Sequence, residues 1–204
     1  MKNTLGQRLF LLALMACLAT LVFLFARRSV DAQMASELKY QKVNDSVTLT
    51  VDGDNIVRID GEGMLYGEDF NALLEQANLD SKALSDVIVG DGITAIGYGV
   101  FDNRSNLKTL KLGSDVGRVS PGGLKRCSSL EYLFMPAGLK DIGMGFLYEC
   151  EKCRIVTDGE ASEFPALPVD VDPAWIYTGV DSLTSLQRAC GGGDDLPPAL
   201  THWW

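Results

Sequence analysis

Residues 93–115 read ITAIGYGVFDNRSNLKTLKLGSD, residues 116–138 read VGRVSPGGLKRCSSLEYLFMPAG, and residues 139–161 read LKDIGMGFLYECEKCRIVTDGEA. Laid one under another without gaps, the three lines keep their apolar residues in columns. Ile93, Val116 and Leu139 form one column, and Ile96, Val119 and Ile142 the next. Phe101, Leu124 and Leu147 follow, then Leu107, Leu130 and Cys153, then Leu110, Leu133 and Val156. A fixed period of 23 residues is the mark of a solenoid, in which each unit is one coil. Each coil holds two short extended stretches, such as residues 93–96 and 107–112, joined by bends. One coil cannot bury its apolar columns alone. Coils stacked roughly 4.8 Å apart bury them against each other.

Working outward, a step of 23 back from Ile93 lands on Phe70, and Leu73, Leu84, Val87 and Val89 continue that degenerate first unit. Phe70, Leu73, Leu74 and Ala77 after Asp69 have helical spacing, so a short helix is expected to widen the first coil. Val47-Thr48-Leu49-Thr50-Val51 alternates as a strand, Asp52-Gly53-Asp54-Asn55 is a turn signal, and Ile56-Val57-Arg58-Ile59 reads as the return strand. Residues 45–69 are therefore expected to form a capping hairpin, with residues 33–44 as a linker and residues 70–160 as the repeats. Beyond them, Trp175-Ile176-Tyr177 reads as a short strand. Asp181 or Ser182 would cap a helix carrying Leu183, Leu186 and Ala189, which Gly191 stops. This makes residues 161–190 a C-terminal cap and residues 191–204 a flexible tail.

The repeat columns resemble the BspA-like leucine-rich repeats of bacterial and some protist surface proteins, with the motif V-x-x-I-G-x-x-A-F-x-x-C-x-x-L-x-x-L-x-L-P. The residues that carry the resemblance are Ile93, Ile96-Gly97, Val100-Phe101, Leu107, Leu110 and Leu112. In the next unit they are Val116, Val119, Leu124, Cys127, Leu130, Leu133 and Met135-Pro136, and in the third Leu139, Ile142-Gly143, Phe146-Leu147 and Cys150. Pro121-Gly122-Gly123 and Cys153 depart from the pattern. The resemblance implies a surface location, adhesion or protein binding, and no catalysis; the residues themselves lead to an expectation of no cofactor and no metal. The expected fold class is thus a leucine-rich-repeat solenoid, mainly β with short helical or irregular bends. A β-hairpin caps its N-terminal side, and an N-terminal transmembrane or signal helix precedes it.

Residues 9–26 are uncharged and mostly Leu, Ala and Phe, flanked by Lys2 and Arg8 before and Arg27-Arg28 after. Two readings stay open: an uncleaved signal anchor, or a signal peptide cut after Val30-Asp31-Ala32. Both place the remaining chain outside the cytoplasm, on the cell surface or secreted. The net charge is −9; without residues 1–32 it is −12, from 14 basic and 26 acidic residues. That acidity argues against a nucleic-acid partner, which demands a basic stripe.

Cys150-Glu151-Lys152-Cys153 is a CxxC, but Cys150 falls in the column of Cys127 and Cys153 in that of Leu107 and Leu130. The repeat accounts for both thiols without redox or zinc chemistry, and the lone His202 supplies no second metal half-site. Cys127 and Cys150, one coil apart, are either buried free thiols or a disulfide. The loose acidic group Asp52, Asp54, Glu62, Glu68 and Asp69 does not follow a calcium-loop order and reads as turn chemistry. Asn44 and Asn103 head glycosylation sequons.

Side chains alternate across a strand, so Leu110 and Leu112 facing inward put Thr109 and Lys111 outward. The same columns carry Tyr132 and Phe134, then Ile155 and Thr157. These six residues are the candidate binding surface for a protein or cell-surface ligand, with Tyr132, Phe134 and Ile155 together on an exposed sheet face. The competing reading is that the C-terminal segment covers this patch. The alternative function is a structural or envelope-assembly protein whose repeats only stack.

Overall fold

The computed structural model describes residues 38–41, 46–159, 171 and 173–189. The N-terminal expectations at residues 1–32 and the tail at residues 191–204 lie outside them. Among the described residues no helix is long and apolar enough to cross a membrane.

The alternation over residues 47–59 folds as expected. β2 (Val47–Val51) and β3 (Val57–Gly61) pair antiparallel, with Leu49 opposite Ile59. The carboxylate of Asp52 closes the turn by accepting from the backbone N–H groups of Asp54 and Ile56, at 3.0 and 2.9 Å. A short polar side chain that satisfies its own turn is why Asp favours this position. β1 (Leu38–Gln41) adds a further antiparallel strand on β2, in a stretch expected to be linker.

From β3 onward every added strand is parallel. One sheet continues through β5 (Asp86–Val89), β7 (Thr109–Lys111), β9 (Tyr132–Phe134), β11 (Arg154–Val156) and β12 (Ile176–Tyr177), giving eight strands with the hairpin. A second, four-stranded sheet runs β4 (Gly63–Leu65), β6 (Ile93–Ile96), β8 (Arg118–Val119) and β10 (Asp141–Ile142). The chain alternates between them, one strand of each per coil, so the molecule is a mainly β solenoid. The core lies between the sheets. Ile93, Ile96, Phe101, Leu107, Leu110, Leu124, Leu130 and Leu133 are fully buried there.

The bends repeat as faithfully as the strands. Asn103, Arg126 and Glu149, 23 residues apart, all sit in the left-handed region, at φ 59, 61 and 60°. Gly99, Gly122 and Gly145 repeat the same conformation at φ 67, 63 and 63°. Backbone hydrogen bonds cross between coils even here: Phe101 N–H donates to Gly123 O, and Leu124 N–H to Phe146 O. Another corner carries a side-chain ladder, in which Asp91 accepts from both the N–H and the hydroxyl of Ser114. Those bonds, the backbone one first, hold the Asp91 carboxyl below its ordinary range.

The first coil is wider, as expected, because α1 (Gly67–Gln76) replaces a tight bend. Its Phe70 packs edge-on against Phe101, with ring centroids 5.3 Å apart. The step of 23 back from Ile93, however, misplaces this coil. Phe70 lies on the helix, while Gly63 pairs with Ile93 and Leu65 with Ile96. The solenoid therefore starts inside the segment assigned to the cap, and β3 is both hairpin strand and first parallel strand.

The thiols occupy core columns. Cys127 Sγ–H donates to Phe101 O at 2.9 Å and Cys150 Sγ–H to Leu124 O at 3.1 Å, the same contact one coil later. Cys127, Cys150 and Cys153 are free and buried. The neighbouring Cys150 thiol and then burial hold the Cys127 thiol above its ordinary range, and burial pushes Cys153 well up. Neither is a poised nucleophile.

This packing can be tested in two ways. Leu133→Ala, at the centre of the stack, should lower the unfolding free energy by about 2–5 kcal/mol in denaturant titration. Cys127, Cys150 and Cys153 should resist alkylation in the native protein and label fully on unfolding without reductant, read by peptide mass mapping; a requirement for reductant would show a disulfide instead.

Candidate functional site

The outer face of the eight-stranded sheet is built by strand alternation. Bridge partners define three rows across it. The inward row is Val57, Val87, Leu110, Leu133, Ile155 and Ile176. One outward row is Asp86, Thr109, Tyr132 and Arg154. The other is Arg58, Ile88, Lys111, Phe134, Val156 and Tyr177.

The candidate residues Thr109, Lys111, Tyr132 and Phe134 do share this outward face. Two corrections apply to the others. Ile155 lies in the inward row and is fully buried in the core, and Thr157 is fully buried beyond the end of β11, where its N–H donates to Tyr177 O. Arg154 and Val156 take their places. The cause is a coil one residue shorter: Ile155 follows its partner Leu133 by 22 residues, not 23. A signal for this stood in the sequence. The ungapped alignment puts Asp158 in the column of Leu112 and Met135, where it would bury an unpaired charge. The shorter coil puts Thr157 there and leaves Asp158 exposed, accepting from the N–H of Ala137 at 3.1 Å.

The face is also not open. Tyr132 is 5% exposed and Phe134 6%. They join Ile56, Ile88, Val156, Val180 and Leu186 in a second buried cluster, with Tyr177 packed against it. Leu186 belongs to α2 (Leu183–Ala189), so the covered reading of this patch is the one the structure adopts. Ser182 caps that helix by accepting from the N–H of Ser185 at 3.2 Å.

Polar groups flank the cluster. Lys111 Nζ sits 5.4 Å from the Phe134 ring centre, and the Arg154 guanidinium 5.7 Å from that of Tyr132. Both geometries are attractive cation–π contacts. Partial burial lowers the Lys111 pKa, an effect reinforced by the nearby charge of Arg58 and opposed by Asp91 and Asp158. Thr109 donates its hydroxyl to Asp86, which also accepts from Ser85. Arg58 and Arg154 are exposed at the margins.

Sequence reasoning missed a second surface. Tyr98 is 68% exposed and Met144 78%, two coils apart with the Pro121 bend between them, and Tyr66 and Tyr148 are exposed as well. Tyr98, Pro121 and Met144 are 23 residues apart, so they form an outward column that the search for buried ones passed over. Lys125 Nζ donates to the Tyr98 hydroxyl at 3.1 Å. An open depression of about 380 Å³ lies near the end of the large sheet, lined by Glu131, Glu151, Lys152, Cys153, Arg154 and Trp175. Among the described residues no group of three or more His, Cys, Asp or Glu side chains is placed to hold a metal ion.

Residues 74–162 match the model of the BspA type leucine rich repeat region, in six copies. No curated protein matches the chain. Among solved structures it is similar to a leucine-rich repeat protein from Eubacterium ventriosum ATCC 27560, with 16% identity over 63% of this chain and 45% of that one, at a TM-score of 0.40. It is also similar to a leucine rich cell surface protein from Faecalibacterium prausnitzii A2-165, with 16% identity over 72% of this chain and 56% of that one, at a TM-score of 0.29. The chain spans about half the length of each. The stacked coils of residues 74–162 are thus BspA-type leucine-rich repeats.

Proposed function

We propose that this chain is a non-catalytic, extracytoplasmic surface protein that binds another protein or a cell-surface ligand through the outer face of its large sheet. Residues 9–26 tether it to the membrane, or are removed by cleavage near Ala32. The observation that carries the reading is the second apolar cluster. The solenoid core closes between the two sheets without it, yet Tyr132 and Phe134 stand on the opposite face, each under a cation. A sheet that needs only one apolar face leaves the other polar when it merely faces water. Aromatic side chains beside Arg and Lys are the composition of interface anchors. The exposed column of Tyr98 and Met144 offers further contact area at the bends.

The test is capture from an extract of the cell's own surface. Reversing the charges of Arg58, Lys111 and Arg154 to Glu in the full chain should reduce retention of the captured partner at least about tenfold, since removing one charged hydrogen-bonding group from an interface costs on the order of 1–3 kcal/mol. The charge-reversed protein should keep a cooperative thermal transition, because the main core lies between the two sheets and does not include these groups. Equal retention by the charge-reversed protein rejects the sheet face as the binding surface.

A further inference from the structure

The large apolar side chains that stand out into solvent are not scattered. Among the described residues they are Tyr66, Tyr98, Met144 and Tyr148, and all four lie where the chain leaves the small sheet. Tyr66 follows β4 directly. Tyr98 and Met144 come shortly after β6 and β10, and the exposed Pro121 holds the same place after β8. Close approaches join them into one ridge. A Cβ on Gly67, next to Tyr66, would lie 3.2 Å from the carbonyl oxygen of Tyr98, and one on Gly122 would lie 3.5 Å from the Tyr98 ring. One on Gly143 would run into Pro121, and one on Gly145 would lie 3.9 Å from Cβ of Tyr148. The ridge crosses the four coils of the small sheet. At roughly 4.8 Å per coil it is about 14 Å long.

The chemistry of the ridge is amphipathic and neutral. Arg126 donates to both carboxylate oxygens of Asp102, at 3.0 and 2.7 Å, and Lys125 Nζ lies 3.5 Å from the same carboxylate. The bond with Asp102, then its charge and that of Glu149, raise the Arg126 pKa. Two carboxylates thus answer two cations along the bends. Beside them Arg118 and Asp141 pair at 2.7 Å. Lys125 meets Tyr98 at its hydroxyl, 3.1 Å away, and the tyrosine stays 68% exposed. Between the apolar groups the backbone is bare: among the described residues no backbone hydrogen bond engages the N–H or C=O of Tyr98 or Met144.

This combination selects the ligand. A lipid surface would take water from those backbone groups and leave them unpaired. A peptide helix has its own backbone bonded internally and cannot answer them. A charged polymer meets no net charge on the ridge, and the acidic body of the chain repels an anionic one. A sugar chain answers both halves of the surface. The C–H faces of its rings lie against the tyrosines and the thioether, while its hydroxyls donate to C=O and accept from N–H. The ridge is longer than one sugar ring and follows the stack, so the ligand is a linear chain of them. We propose that the ridge from Tyr66 to Tyr148 binds a neutral, linear polysaccharide laid along the coils. The surface is separate from the outer face of the large sheet, and its ligand is independent of whatever that face binds.

Co-sedimentation of the full chain with insoluble cellulose, chitin, curdlan and mannan tests this, with hyaluronan-coated beads as the anionic comparison. A polyoxyethylene detergent, which carries no sugar, keeps the chain in solution. Binding to at least one neutral polymer and none to hyaluronan is expected, unchanged up to about 0.5 M salt because no ion pair forms. Tyr98→Ala with Tyr148→Ala should weaken binding at least about tenfold, through the loss of buried ring area. Both residues are exposed, so the thermal transition should stay. Reversing the charges of Arg58, Lys111 and Arg154 should leave polysaccharide binding intact. In the unaltered protein, the bound polymer should slow oxidation of the Met144 thioether to its sulfoxide by peroxide, read by peptide mass mapping. No binding to any neutral polymer, equal binding to hyaluronan, or loss of binding in salt overturns the proposal. Full retention by a folded double variant overturns it as well. If that variant does not fold, Met144 decides: oxidation at the free rate in the bound protein places the polymer elsewhere and overturns the ridge.

Discussion

Everything in this molecule depends on adjacent coils staying in register while their backbones hydrogen-bond to each other. The bonds do not stop at the strands. They continue through the bends, where Asn103 N–H donates to Lys125 O and Arg126 N–H to Tyr148 O. A coil whose bend differed in shape from its neighbour's would orphan these groups inside the stack, and each buried unpaired group costs on the order of 1–3 kcal/mol. That requirement explains why Arg126 and Glu149 accept a left-handed conformation that suits Asn103 better. It also explains the pair Cys127 and Cys150, whose thiols each reach a carbonyl of the preceding coil at the same corner.

The repeat was legible because burial and register act on the same residues. Ile93, Val116 and Leu139 had to be apolar, and they had to be 23 apart. The hairpin was legible from Asp52 and the alternation around it, and both terminal elements after the repeats from Tyr177 and Leu186. The slip at Cys153-Arg154 was not, because the strand Arg154-Ile155-Val156 puts an apolar residue in the inward row under either register. Only a residue past the strand, Asp158, distinguishes them. The first coil escaped for a different reason. A helix can replace a bend at any length that returns the chain to the small sheet, so period counting has no hold on residues 66–84.

The candidate surface shows the limit of alternation as an argument. Alternation tells which way Tyr132 and Phe134 point, and they do point away from the core. It says nothing of what lies beyond, which is set by a segment some 50 residues later in the chain. Two large rings on the outer face were a reason to expect a cover as much as a ligand, since exposed apolar area of that kind drives association with whatever is at hand. The structure resolves this by using the chain's own helix.

That solution suits a solenoid in particular. In a globular domain an element on the surface usually completes the one shared core, and removing it weakens the whole. Here stability is close to a sum over neighbouring coils. The main core, from Val47 to Val171, is a separate cluster from the one that holds Leu186. Leu186 therefore adds its packing with Tyr132, Phe134 and their neighbours to a stack whose coils already hold one another by their own hydrogen bonds.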